Sequence, residues 1–183
     1  MKKAFTMIEL VFVIVILGIL AAVALPKFLG VASQAHEANL KAFVGTLNRS
    51  VGPTLWSTSI SEGHYGDINY SALIYNKDNS AEQNLTKYTD IPKEVAILDL
   101  KKCNNEVNYT IVGKADKAVA GATYYIACLD GNANQSPNFV LLKPTTSSAV
   151  VDLDDMNSTE LNASVKTVNF KHNGNDENLT ILR

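Results

Sequence analysis

Hydrophobic positions fall into three regimes along this chain. From Phe5 to Leu25 they form an almost unbroken run with a single acid, Glu9. About 21 residues at 1.5 Å each cover roughly 30 Å, the thickness of a hydrocarbon core. From Lys27 to Ile60 the apolar residues Phe28, Val31, Ala35, Ala38, Ala42, Phe43, Leu47, Val51 and Leu55 recur at helical spacing, while Lys27, Gln34, Glu37, Lys41 and Arg49 take other faces. The pattern predicts one amphipathic helix that continues the apolar run and packs its stripe on a globular body. Pro53 follows Gly52 near its end; the stripe continues to Leu55 and Trp56, which predicts a kink rather than a stop.

The third regime is polar and punctuated. Turn residues dominate from Ile60 to Lys93, which predicts a long connection with one short helix near Tyr70–Tyr75. Strand-like stretches follow at Val95–Leu100, Val107–Val112, Thr123–Leu129, Phe139–Leu142, Ala149–Leu153, Val165–Phe170 and Leu179–Leu182. Asn157-x-x-Glu160 resembles a capping box and predicts a short helix there. A long N-terminal helix followed by an antiparallel sheet is an α+β fold.

Charge changes this picture little. The formal net charge is −2 over 183 residues, so there is no nucleic-acid footprint and no polybasic membrane patch. The basic stub Met1-Lys2-Lys3-Ala4 precedes the apolar run, which keeps the stub cytoplasmic and sends the body across the membrane. Catalytic signatures are missing: no nucleophile elbow, P-loop, dinucleotide fingerprint or HExxH is present, and His36, His64 and His172 stand apart. The chain therefore reads as a non-enzyme without a cofactor. Asp152, Asp154 and Asp155 lack the glycine and final Glu of a calcium loop, so they read as the approach to the Asn157 cap and no metal is expected. Cys103 and Cys128 show no metal-ligand spacing. They are either two unpaired core thiols or a disulfide closing about 26 residues, worth roughly 3–4 kcal/mol in an oxidising compartment.

Glu9 is the anomaly, because a carboxylate inside hydrocarbon is costly. A secretory signal would place a small-residue cleavage site at Ala21-Ala22-Val23-Ala24 and leave a soluble periplasmic protein. Glu9 and the unbroken passage into the amphipathic helix oppose that reading. Ala4-Phe5-Thr6-Met7-Ile8-Glu9-Leu10, followed by Gly18-Ile19-Leu20-Ala21-Ala22-Val23-Ala24-Leu25-Pro26, resembles the N-terminus of type IV pilins and type II secretion pseudopilins. The resemblance covers about the first 30 residues. It implies that a prepilin peptidase cuts between Ala4 and Phe5 and that Phe5 becomes an N-methylated first residue. Ala4 stands where the family usually has Gly. The resemblance also implies that Glu9 pairs with a Phe5 ammonium, its own in the monomer and a neighbour's in a filament. It makes Gly18 and Pro26 the ends of a segment that melts on assembly.

A second pattern is the acceptor motif Asn-x-Ser/Thr, present at Asn48, Asn69, Asn84, Asn108, Asn134, Asn157, Asn162 and Asn178. Chance gives roughly two or three such motifs in this composition. All but Asn48 and Asn134 carry an acid two residues earlier. Asp/Glu-x-Asn-x-Ser/Thr resembles the acceptor of the N-glycosylation system of Campylobacter-like bacteria. That resemblance makes Asn69, Asn84, Asn108, Asn157, Asn162 and Asn178 candidate acceptors for an oligosaccharyltransferase.

The expected organisation is a leader at 1–4, a transmembrane and filament-core helix at 5–26, its amphipathic continuation at 27–60, and a β-rich head at 61–183. The expected function is a structural subunit of a type IV pilus-like filament, a helical homo-oligomer. Its partners would be the prepilin peptidase and an inner-membrane assembly platform and motor. Monomers would sit in the inner membrane and the filament on the cell surface. A periplasmic pseudopilin and a membrane-anchored binding protein are the alternatives.

Overall fold

A computed structural model describes residues 6–104, 106, 109–144, 167–172 and 175–182. Helix α1 spans Met7–Thr46, and the chain divides within it into two compact units, Met1–Ala35 and His36–Arg183. The first regime is rich in Val and Ile, which only modestly disfavour helix in water. In lipid the backbone must bond within itself, so the same run is helical. Gly18 and Pro26 both lie inside α1.

The helix runs on as expected, but the predicted stripe is buried only in its second half: Val31, Ala35, Ala38 and Ala42 are exposed, Phe43, Leu47, Val51 and Leu55 are buried, and the irregularity falls one turn before Pro53. A π-helical turn occupies Leu47–Val51, and α2 runs Gly52–Ser61 with Pro53 in its first turn. Pro53 has no N–H to offer Arg49, so an ordinary ladder cannot pass through this point. The chain widens instead, and Gly52 N–H donates to Leu47 O, five residues back.

Seven strands form one antiparallel sheet among the described residues, in the order β1-β2-β3-β4-β5-β7-β6. They are β1 (Ile74–Asn76), β2 (Val95–Asp99), β3 (Thr110–Ala115), β4 (Tyr125–Leu129), β5 (Asn138–Pro144), β6 (Thr167–His172) and β7 (Asn175–Leu182). The α+β expectation holds. The long connection is not structureless. It contains β1 and 3-10 turns at Asn69–Ser71, Ser80–Glu82 and Asn84–Lys87. The short helix expected near Tyr70–Tyr75 is replaced by the first of these turns and by β1.

Strand β3 sits three residues later than its predicted span. Gly113 looks like a stop in the sequence, yet it lies inside the strand. A Cβ there would meet Leu98 Cδ1 at 2.9 Å and Ile97 O at 3.0 Å, so any side chain at this position would force Leu98 and the β2 backbone to shift. Helix α3, Lys117–Ala120, is capped by Asp116, whose side chain accepts from Ala118 N–H. The strand expected at Ala149–Leu153 and the helix expected after Asn157 lie outside the described residues.

The core of the second unit joins Leu40, Phe43, Val44, Leu47 and Leu55 of the helices to Leu98, Val112, Ile126, Phe139 and Leu141 of the sheet. Burying each such side chain is worth roughly 1.5–3 kcal/mol, which makes this stripe the main attachment of helix to sheet.

Candidate functional site

The apolar half of α1, Met7–Leu25, has mean hydropathy 3.0, and none of it is buried within the protein. A segment so apolar and so uncovered is built for lipid or for other helices. Its one acid is not left unpartnered. Glu9 Oε2 accepts from Thr6 N–H at 2.9 Å and from Thr6 Oγ1 at 2.8 Å, while Glu9 N–H reaches back to Thr6 Oγ1 at 3.4 Å. This reciprocal arrangement is a capping box, which satisfies helix-end donors that have no intrahelical partner. Thr6 is thus a residue that the reading of Glu9 alone misses, although Thr-x-x-Glu before an apolar run is a helix-start signature. Ala4 and Phe5 lie outside the described residues. So does the side chain of Pro26.

In the second unit, polar side chains fix the helix to the sheet. Glu37 receives Tyr124 Oη at 3.1 Å and Lys143 Nζ at 3.3 Å, and pairs with Lys41 at 3.2 Å one turn on. Burial alone would raise the Glu37 carboxyl; the donors Lys41, Tyr124 and Lys143 outweigh it and hold it below its ordinary range. Glu94 is buried and meets His36 Nδ1 at 2.8 Å and Asn39 Nδ2 at 3.1 Å. Burial pushes its carboxyl up, and these contacts pull it below normal. His36 thus serves a buried structural contact, while His64 stacks on Tyr70 at 3.9 Å between ring centroids.

Asn48, in the π-helical turn, makes a two-point contact with one residue of β5. Its Nδ2 donates to Phe139 O at 2.8 Å, and Phe139 N–H donates to its Oδ1 at 2.6 Å. Pairing between β5 and β7 begins only at Leu141. The Asn48 amide therefore occupies the ladder position that β7 does not reach.

A third junction joins α2, the following loop and the β4–β5 connection. Trp56 Nε1 donates to Asn132 O at 2.8 Å, and Ser59 Oγ donates to Asp67 O at 2.7 Å. Buried Asp130 accepts from Ile68 N–H at 3.0 Å and Gly131 N–H at 2.8 Å through the same oxygen. Burial and the neighbouring Asp67 carboxyl push Asp130 up to about 7 against the pull of those two amides. Gly66 sits at φ +95°, and a Cβ there would meet Trp56 Nε1 at 2.7 Å, so the junction admits no side chain at that position.

Cys103 and Cys128 are disulfide-bonded and fully buried, with Cα atoms 5.5 Å apart, which resolves the two readings of these residues in favour of the bridge. The acceptor motifs are dispersed over the head. Asn69 and Asn84 each open a 3-10 turn, Asn178 lies in β7, and Asn108, Asn157 and Asn162 lie outside the described residues. No group of three or more His, Cys, Asp or Glu that could hold a metal occurs among the described residues.

Comparison with known proteins places a class label on the first unit. The family described as "Prokaryotic N-terminal methylation motif" matches residues 1–25. A 40-residue stretch is 55% identical to the "Type IV narrow pilus major component PilA5" of Thermus thermophilus, covering 22% of this chain and 34% of that protein. The chain thus spans about a third of the relative it matches. No solved structure matches. The chain carries a prepilin-type N-terminus on an α+β body with a pilin-like arrangement.

Proposed function

We propose that this chain is a structural subunit of a type IV pilus-like filament. The observation that carries the reading is the methylation motif at residues 1–25 joined to a helix of which Met7–Leu25 is apolar and uncovered. Such a surface is satisfied by lipid in a stored monomer and by other copies of the same helix in a bundle. A prepilin peptidase cuts between Ala4 and Phe5 and methylates Phe5. An inner-membrane platform and motor then extract the helix and stack it. Glu9 is held by Thr6 within its own chain before assembly. In the filament it pairs with the Phe5 ammonium of a neighbour, since an unpaired charge in a dry bundle is strongly penalised. Gly18 and Pro26 bracket a segment in which the helix opens. The bodies and the glycans on their acceptor motifs form the outer surface. The pilus is favoured over a periplasmic pseudopilus by the identity with a protein named as a pilus major component.

Replacing the Glu9 charge tests this reading. Glu9→Gln and Glu9→Ala leave membrane insertion and leader cleavage intact and reduce the filament fraction recovered by shearing. Normal filament yield in both variants would overturn the ammonium–carboxylate role.

A further inference from the structure

We infer that Asn69 is the acceptor the folded body offers to a glycosyl donor, and that Asn48 and Asn84 are structural amides withheld from it. The inference rests on the reading of the acceptor motifs as glycosylation sites. Transfer forms a bond between Asn Nδ2 and the anomeric carbon of a pyrophosphate-linked oligosaccharide. The sugar–oxygen bond breaks, the lipid-linked pyrophosphate leaves with the electron pair, and one Nδ2 proton passes to a base of the transferase. The reaction needs a free amide nitrogen with open space on it.

Exposure alone ranks the candidates wrongly. Asn84 is exposed and Asn69 is half-buried. Hydrogen bonding reverses the order. Asn84 Oδ1 accepts from Ile74 N–H at 2.6 Å, and its Nδ2 donates to Ala72 O at 3.3 Å. Its amide bridges the backbone on both sides of Leu73 and anchors the start of β1, so a sugar on Nδ2 would displace that segment. Asn48 is tied still more firmly, with both ends of its amide on Phe139. That two-point contact uses the Nδ2 hydrogen on the same side as Oδ1. A secondary amide favours the trans form, which puts its new substituent on that very side. A sugar on Asn48 would therefore take the place of Phe139 O.

The Asn69 amide makes no hydrogen bond with the described residues. Its backbone is held instead, with Asn69 N–H donating to Asp67 Oδ1 at 2.9 Å, so the acid of the motif is fastened to the acceptor residue. The hydroxyls two residues on do not separate the two sites. Ser71 Oγ donates to Ile68 O at 2.7 Å and Thr86 Oγ1 to Gln83 O at 2.6 Å, the same contact in the same kind of turn. Asn134 is also exposed, but Asn132 stands where the motif has its acid.

The test is glycopeptide mass spectrometry of the full, disulfide-bonded protein from the cells that make it. Trypsin separates the three asparagines, placing Asn48 in peptide 42–49, Asn69 in peptide 50–77 and Asn84 in peptide 78–87. The expected result is added sugar mass on 50–77 and none on 42–49 or 78–87, with Asn69→Gln abolishing the addition and leaving the melting temperature unchanged. Sugar on 78–87 or 42–49 in folded protein overturns the inference and leaves glycosylation standing. So does a bare 50–77 when peptides carrying Asn108, Asn157, Asn162 or Asn178 are modified. A protein bare at every motif overturns the glycosylation reading itself, and the inference with it.

Discussion

Replacing Asn48 by Ala tests the idea that one side-chain amide completes the sheet. The perturbation removes a donor and an acceptor together. Phe139 is only 1% exposed, so its freed N–H and C=O have little access to water. Each buried unsatisfied backbone group costs about 1–3 kcal/mol. Asn48 is itself half-buried at the end of the β5 ladder, so water reaches the vacated site in part. Two such groups span about 2–6 kcal/mol, and the partial access of water sets the loss in the lower half, at about 3 kcal/mol. For a body of this size each kcal/mol moves the melting temperature by about 2–4 °C, so Asn48→Ala should melt roughly 6–12 °C lower. Asn48→Asp should lose at least as much, because a carboxylate keeps the contact to Phe139 N–H and sets an oxygen against Phe139 O. The assay is thermal unfolding of the full chain in detergent, followed by the fluorescence of Trp56, the single tryptophan. Melting of Asn48→Ala within about 1 °C of the parent would refute the reasoning, since it would leave the two contacts with no net value.

Three further predictions follow from other parts of the molecule. Reducing the Cys103–Cys128 bridge releases a loop of sequence separation 25, a chain-entropy loss of about 3.5 kcal/mol, and should lower the melting temperature by roughly 7–14 °C; an unchanged melt for the Cys103→Ala/Cys128→Ala variant contradicts this. Asp130 is pushed up to about 7 in the fold, above its unfolded value near 3.9, so its contribution is full below about pH 4 and is lost as pH rises towards 7. The protein should therefore melt at a higher temperature at pH 5 than at pH 8, and Asp130→Asn, which keeps the accepting oxygen, should flatten that slope; equal slopes in parent and variant count against the buried-carboxyl account. Thr6→Ala removes the hydroxyl that donates to the Glu9 carboxylate and accepts from Glu9 N–H, leaving only the backbone N–H of residue 6 on that carboxylate, and should reduce sheared filament without blocking membrane insertion, as read by immunoblot of the two fractions.

The long helix and most of the sheet were legible because hydrophobic period reports them directly. Apolar residues at helical spacing, Phe43, Leu47, Val51 and Leu55, mark the buried part of the stripe, and short apolar runs bounded by turn residues mark β2, β4 and β5. The π-helical turn was half legible. Pro53 announces a disturbance, but its position at Leu47–Val51 depends on Gly52 packing closely against Pro137 and Phe139, which no local pattern records. Gly113 misleads for the same reason, since a glycine required by neighbouring strands looks like one required by a turn. Strand β1 is three residues long and is held by the amide of Asn84, so it carries almost no period. The functional features divide along the same line. The Thr6–Glu9 box is local and readable from its spacing. Asn48 and Phe139 lie 91 residues apart, and Asp130 and Ile68 lie 62 apart; such contacts belong to the fold and not to any motif. The acceptor motifs show the division most clearly. Sequence identifies the asparagines that carry the acceptor motif, and only the hydrogen bonds of the folded chain distinguish a free amide from a structural one.

Mass spectrometry of the protein sheared from the cell surface tests the central claim most directly. The account predicts a chain that begins at N-methylated Phe5 and is abundant in the sheared fraction. A processed chain retained wholly in the envelope, or one cut after Ala24, would contradict it.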